Sequence, residues 1–323
     1  MKTNAVIPWK WHKDTDPVFL QDWFAESLKN GVLIKKNAKR SVRKITSPSG
    51  KVYFVKQECS FRNKAKKEYA AAAMLRRAGI PCIRFAALGK YGFRQTILIS
   101  EEEQDTVNAL EYFYATAAAN PEKRTAFFDA LRNLMAAMMQ NGIRHSDFHA
   151  GNVLVRDTSG SCEMILVDPI AAKKSSKACP LELAGILTNF LPEITDIEML
   201  QVLSVLHDPT VTPARLKERH AAMIRSEWQK RQKQILSGDS KFTRRIQRDS
   251  RIFEVVSTPW YSPGSLPDDA ELAEMTLEIV PDKTADERLL ALCRARLEGI
   301  PFDRPFRIME RRNGTTVLYY SQK

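Results

Sequence analysis

The chain has 323 residues, of which 44% are hydrophobic and 27% charged, and a formal net charge of +12. That length and balance suit a folded protein with a full core and exclude a disordered chain. No apolar run approaches the roughly 18–20 residues of a membrane span, and the opening MKTNAVIPWKWHKDTDPVF lacks the apolar core of a secretory leader, so a cytoplasmic protein is expected.

The five cysteines (Cys59, Cys82, Cys162, Cys179, Cys293) are scattered, with no CxxC pair, which argues against a disulfide framework and a zinc site. The positive charge is concentrated in two runs. One holds Lys35, Lys36, Lys39, Arg40, Arg43 and Lys44 with no acid between them; the other, Arg215 to Arg251, has twelve basic residues against four acidic ones. Such runs speak for anionic partners, namely nucleotide phosphates, a phosphorylated glycolipid, an anionic membrane face or nucleic acid, and the second also reads as a solvated helix face.

In chain order, Asp16 as N-cap, Pro17 at the first position and Gly31 after the end predict an opening helix. RSVRKITS and KVYFVKQE around Pro48-Ser49-Gly50 predict a strand–turn–strand. A helix follows through AKKEYAAAAMLRRAG, closed by Gly79, and QTILISEEE reads as a buried strand running into an acidic hinge. TVNALEYFYATAAA and PEKRTAFFDALRNLMAAMMQNG predict two helices, the second stopped by Gly142. After the loop HSDFHAGN, VLVRDTSGSCEMILVDP reads as a hairpin turning on Thr158-Ser159-Gly160. Helices return at PLELAGILTNFL and over 213–237. Beyond residue 250 come clustered prolines (Pro259, Pro263, Pro267), an acidic helix-like segment near Asp268–Glu278, a helix at TADERLLALCRARLEG and a hairpin turning on Asn313-Gly314.

A phosphoryl-transfer site needs a cation on the nucleotide phosphates, oxygen ligands for magnesium and a carboxylate near the acceptor hydroxyl. The loop His145-Ser146-Asp147-Phe148-His149-Ala150-Gly151-Asn152 supplies Asp147 and, five residues on, Asn152; Asp168 stands at a strand end in Val167-Asp168-Pro169. Lys56 sits on the strand VYFVK and Glu68 twelve residues later on the next helix, a separation at which the two can pair. Each element is weak alone, since HxDxxxxN also suits a turn held by Asp and Asn caps. The ordered set is specific, because each member lies on the type of element its role requires.

Residues from about Val32 to about Leu206 resemble the protein-kinase-like superfamily and, within it, look most like the lipopolysaccharide kinases that phosphorylate inner-core heptose or Kdo. RSVRKITS before YFVK, KEYAAAAMLRRAGIPC and the pair HSDFHAGNVLV and LVDP carry that closer likeness. The resemblance implies an α+β, bilobal kinase-like fold: a small antiparallel N-lobe sheet with one long helix, a mainly helical C-lobe, and a C-terminal α/β extension. The corresponding expectation is an N-terminal helical segment over 1–30, N-lobe over 31–104, C-lobe over 105–250 and extension over 251–323. It also implies an ATP- and magnesium-dependent phosphotransferase. Asp147 would orient the acceptor hydroxyl and take its proton, Asn152 and Asp168 would hold magnesium, and Lys56, partnered by Glu68, would contact the phosphates. Backbone groups around Glu101, Glu102 and Glu103 would read the adenine edge.

His145 reads as a structural hydrogen-bonding residue of the loop, and His149 as either a loop residue or a contact to substrate or metal. The chain departs from regulated protein kinases in lacking a glycine-rich loop over Lys35–Lys44, in Ser146 before Asp147, in Asp168-Pro169-Ile170 and in a short following segment. Without glycines, lysine or arginine side chains would have to supply the charge on the phosphates. The expected partner is an anionic glycolipid or core oligosaccharide, with peripheral contact at the cytoplasmic face of the inner membrane and no specific nucleic acid. A kinase of the same fold with a small-molecule or protein acceptor, and a pseudokinase binding module, are the competing readings.

Overall fold

The computed structural model describes residues 9–21, 23–36, 39–59, 64–91, 94–158, 160–175, 179–191, 193–238, 240, 242–257, 266–298, 300 and 302–320. Ser159 of the expected turn, Pro259, Pro263, and residues 176–178 after Asp168 lie outside them. Two compact units emerge: 1–107 with 133–148 and 152–179, and 108–132 with 149–151 and 180–323. Among the described residues no helix is long and apolar enough to cross a membrane.

In the first unit, β1 (Lys10–Trp11) precedes a stretch that was expected to be one helix and is two pieces. Asp16 caps the 3-10 turn Pro17–Leu20, accepting from the Val18 N–H; Gln21 is extended, and α1 (Trp23–Asn30) follows. Phe19 and Phe24 give the reason. Five residues apart, they would point about 140° apart on one continuous helix; with the break, both bury against Ile45, Tyr53 and Val55. Residues 9–30 therefore belong to the core of the sheet that follows.

That sheet is formed with β2 (Val32–Lys36), β3 (Arg40–Thr46), β4 (Val52–Cys59), β5 (Phe85–Tyr91) and β6 (Gln95–Glu101). Its order is β1-β5-β6-β4-β3-β2, and the neighbouring strands run antiparallel. The long helix α2 (Lys64–Arg77) packs against β5 and β6. Neither β2 nor β5 shows the alternation expected of a half-buried strand: β2 is exposed along its whole length, and FAALGKY carries a glycine pressed against Trp11 and Ile97.

The TVNALEY stretch starts as a short strand, β7 (Thr106–Asn108), and only then turns helical, with Asn108 capping α3 (Ala109–Tyr112) and a π-helical turn after it. α4 (Pro121–Gln140) is stopped at Gly142, whose φ of +59° favours glycine. Beyond it, β8 (Ile143–His145) pairs with β11 (Ala172–Lys174), and the hairpin β9 (Val153–Thr158) and β10 (Ser161–Leu166) lies between them in sequence.

In the second unit, Phe113, Phe127, Phe128 and Phe190 form an aromatic cluster on which the Arg124 guanidinium stacks while pairing with Glu198. α5 (Pro180–Ala184), a 3-10 stretch through Phe190 and α6 (Asp196–Leu203), closed by a capping box at Thr195, lead to α7 (Pro213–Leu236). The C-terminal region is a five-stranded antiparallel sheet ordered β12-β13-β15-β16-β14. It comprises β12 (Thr243–Arg248), β13 (Arg251–Val256), β14 (Thr276–Pro281), β15 (Phe306–Arg312) and β16 (Thr315–Tyr320). The acidic helix expected to reach Glu278 ends sooner, as α8 (Asp269–Glu274), because Thr276–Pro281 joins the sheet as β14. α7 and α9 (Asp282–Glu298) pack together, and Ile224, Ile235 and Phe242 share a core with Leu289, Leu292, Phe306 and Leu318. Residue 250, the boundary drawn from the sequence, falls in the β12–β13 turn; the core of this region begins at α7.

Candidate active site

Lys56 lies in the middle of β4 and Glu68 on the face of α2 turned to the sheet. The Lys56 ammonium donates to both carboxylate oxygens, at 2.5 and 2.6 Å. Alternation along β4 buries Tyr53 and Val55 on one face, which leaves Phe54 and Lys56 on the other. Burial pushes the Glu68 carboxyl above its usual range, as does the charge of Asp168, while the Lys56 ammonium and its hydrogen bond and the Arg40 charge pull it down. Burial is the largest of these influences.

The loop and Asp168 are pinned side by side. Ala172 on β11 sits opposite His145 on β8, and the Ser146 N–H donates to the Ala171 carbonyl. The Val167 N–H donates to the Asn152 carbonyl at 3.1 Å, which draws Asn152 to Asp168. Asn152 Nδ2 donates to the Asp147 backbone carbonyl at 3.0 Å and to its Oδ2 at 3.3 Å, so the amide orients the exposed Asp147 carboxylate. His145 is fully buried, and its Nε2 donates to the Asp168 carbonyl at 3.2 Å, a supporting role as read from the sequence. His149 Nδ1 accepts from the Gly151 N–H, an ordinary bond within the loop. The helix carrying Glu68 packs against the turn Pro169–Ala171 directly after Asp168.

These elements enclose a cleft of about 370 Å³ whose polar wall includes Lys56, Glu68, Asn152 and Asp168. Asp147 lies beside it through Asn152 and is not part of its lining. Val42, Phe54, Leu98, Leu154 and Val167 form an apolar wall suited to a flat aromatic base. Two lining residues escape sequence reasoning. Phe85 is on the unexpected strand β5, and Arg40 is one cation in a run that singles out none. A larger hollow of about 640 Å³ lies along the end of α7 between Glu227 and Ser240 but holds none of the motif residues.

At the hinge, Glu101 and Glu103 line the cleft and Glu102 does not. All three carboxylates are engaged: Glu101 with Arg84 at 3.7 Å, Glu102 with Lys44 at 2.7 Å and Glu103 with Arg156 at 3.0 Å. The Glu101 and Glu102 N–H groups are taken by the Arg84 and Val52 carbonyls. Glu103 N–H has no backbone partner among the described residues, which makes it the donor available to a base edge.

The donor set fits magnesium. Asp168 Oδ1 is buried with no hydrogen-bond partner among the described residues, an arrangement that is costly unless a ligand satisfies it. Asn152 adds an amide oxygen in the same wall. Among the described residues there is no cluster of three or more His, Cys, Asp or Glu side chains, and magnesium commonly takes one or two protein ligands and completes its shell with phosphate and water.

Residues 50–178, less than half of the chain, match the family described as "Lipopolysaccharide kinase (Kdo/WaaP) family". No curated protein matches the chain. Among solved structures, a double-mutant PknI kinase domain from Mycobacterium tuberculosis is 12% identical, covers 54% of this chain and 80% of its own, and superposes with a TM-score of 0.35, too low to carry an argument. Over residues 50–178 the chain resembles the lipopolysaccharide kinases. The family match supports a kinase, a phosphotransferase.

Proposed function

We propose that the chain transfers the terminal phosphate of ATP to a hydroxyl of a lipopolysaccharide inner-core sugar, heptose or Kdo, at the cytoplasmic face of the inner membrane. The observation that carries the kinase chemistry is the convergence of the Lys56–Glu68 pair, Asn152 and the unpartnered Asp168 oxygen in one cleft. The family match over residues 50–178 and the charge of +12, suited to an anionic acceptor, support the choice of substrate.

In this reading the apolar wall takes the adenine, with the Glu103 N–H on its edge. Glu68 holds the Lys56 ammonium toward the phosphates, where it balances their charge. Asn152 and Asp168 hold magnesium, which when bound neutralises charge on the transferring phosphoryl group. Asp147, fixed by Asn152, orients the acceptor hydroxyl and accepts its proton as the oxygen attacks phosphorus.

The test is to incubate the chain with magnesium and terminally labelled ATP, offering deacylated and intact lipopolysaccharide core, aminoglycosides and a generic protein in parallel. Label is expected in the core sugar, and Asp147→Asn should lower turnover by about 10²–10⁴-fold while nucleotide binding persists. Transfer to another acceptor would replace the substrate assignment, and binding without transfer to any acceptor would make the chain a pseudokinase.

A further inference from the structure

Backbone N–H groups of a glycine-rich turn would ordinarily cradle a triphosphate between β2 and β3, and the chain from Val32 to Thr46 has no glycine. The cleft nevertheless has cations at the corresponding strands. Arg40, the first residue of β3, lines it together with Lys56, Glu68, Asn152 and Asp168, and its charge acts on Glu68.

The second cation is placed by an irregularity. Val32 pairs with Lys44 and Leu33 with Arg43, but the register then shifts, so that Lys35, not Ile34, stands opposite Val42. Residues directly opposite in an antiparallel pair project to the same face, and Val42 lines the cleft. The bulge thus turns an exposed lysine to the cleft side, the usual effect of an added residue in a strand. Lys35 has no ion pair among the described residues. Lys36, opposite Ser41, projects to the other face.

We infer that Arg40 and Lys35, with Lys56, form the triphosphate subsite of this cleft, replacing a backbone cradle with side-chain cations. Arg40 supplies the fixed guanidinium fork suited to two phosphate oxygens, and Lys35 supplies a flexible charge at the rim. A subsite built this way reads phosphate charge, so its contribution grows from adenosine to ADP to ATP and is screened by salt. The inference rests on the nucleotide reading of the cleft.

The experiment measures the affinity of the full chain for adenosine, ADP and ATP with magnesium by calorimetry, for wild type and for Arg40→Gln, Lys35→Gln and Lys36→Gln. Arg40→Gln should weaken ATP by about tenfold or more, the scale of a lost charge-assisted hydrogen bond, and leave adenosine unchanged. Lys35→Gln should weaken ATP by about threefold, the worth of an exposed charge contact, with the loss fading in high salt. Lys36→Gln, the same change of charge on the opposite face, should bind as wild type. ATP affinity unmoved in Arg40→Gln, or adenosine weakened equally, would overturn the subsite, the second result leaving Arg40 a structural residue of the wall. Unchanged adenosine binding is also the check that Arg40→Gln folds; should it not fold, the salt-sensitive loss in Lys35→Gln decides. Failure of the wild-type chain to bind any nucleotide would overturn both this inference and the kinase reading, whereas wild-type ATP affinity retained in Arg40→Gln would overturn this one alone.

Discussion

The cleft sheet and the C-terminal sheet each bury a carboxylate almost completely, Glu68 at 4% exposure and Glu310 at 3%, and they treat it in opposite ways. Glu310 accepts from Arg251 on both oxygens, from Arg312 at 3.0 Å and from the Tyr319 hydroxyl at 2.6 Å. Those hydrogen bonds, Arg251 first, hold its carboxyl down at about 2. Glu68 has one direct partner among the described residues, Lys56; burial pushes its carboxyl up, and the neighbouring Asp168 opposes its charge. Both positions exclude water. The difference is in how many partners the fold supplies, and it separates a carboxylate held in a structural network from one whose single close partner lines the cleft.

The largest effect that tests this contrast is on stability. Glu310→Gln removes the charge that Arg251 and Arg312 share, and breaking a buried ion network by one partner costs about 3–5 kcal/mol. Arg251 and Arg312 are themselves partly open to water, so the lower end is expected in urea unfolding monitored on the C-terminal strands. A cost under about 1 kcal/mol would mean that the network is no better than a surface pair.

Glu68→Gln should show the reverse pattern. The amide keeps one hydrogen bond to Lys56 but no longer fixes the ammonium by charge, and kcat/KM should fall by about 10²-fold, equivalent to ~2.7 kcal/mol. Stability should change by less than about 1 kcal/mol, because the substitution also ends the burial of a negative charge beside Asp168. If Glu68→Gln unfolds the protein as readily as Glu310→Gln does, the two carboxylates are alike and the contrast fails.

The same two regions differ in how much of them can be read from the sequence. Lys56, Glu68, Asp147, Asn152 and Asp168 are legible as candidates because the spacing within each motif is short and each role demands one residue type on one kind of element. The C-terminal sheet is legible only in its last hairpin, on Asn313-Gly314, since the pairings that assemble it, β13 with β15 and β14 with β16, are long-range. The run from Arg215 to Arg251 counts as net positive, yet Arg248 pairs with Asp269, and Arg251 with Asp269 and Glu310, 59 residues away. TRRIQR belongs to no element expected from the sequence, and pairing with β13 makes it a strand. Trp228, within the basic run, packs against the core of this region under the Arg294 guanidinium. In the first unit, the bulge that aims Lys35 and the break between Phe19 and Phe24 depend on tertiary packing that no local pattern reports.

The smallest predicted effect concerns acid. Glu310 has its carboxyl lowered from an ordinary 4.5 to about 2 in the folded chain. Its contribution to stability is therefore fully present above the unfolded value and is lost as pH falls from about 4.5 toward 2. Glu68 is raised, so it has the opposite sign: its protonated form favours the fold, and the penalty of ionising it grows as pH rises past the unfolded value. Between pH 6 and pH 3 the wild-type chain should lose about 1–2 kcal/mol more stability than Glu310→Gln, after allowance for the partly exposed arginines. Glu198, likewise lowered to about 2, loses its share in both proteins and cancels in the difference. Hydrogen exchange should locate the loss, with amides of β13, β15 and β16 opening in acid before those of β4 and β6. Parallel pH profiles for wild type and variant, or earlier opening at β4, would show that Glu310 does not hold its sheet by charge.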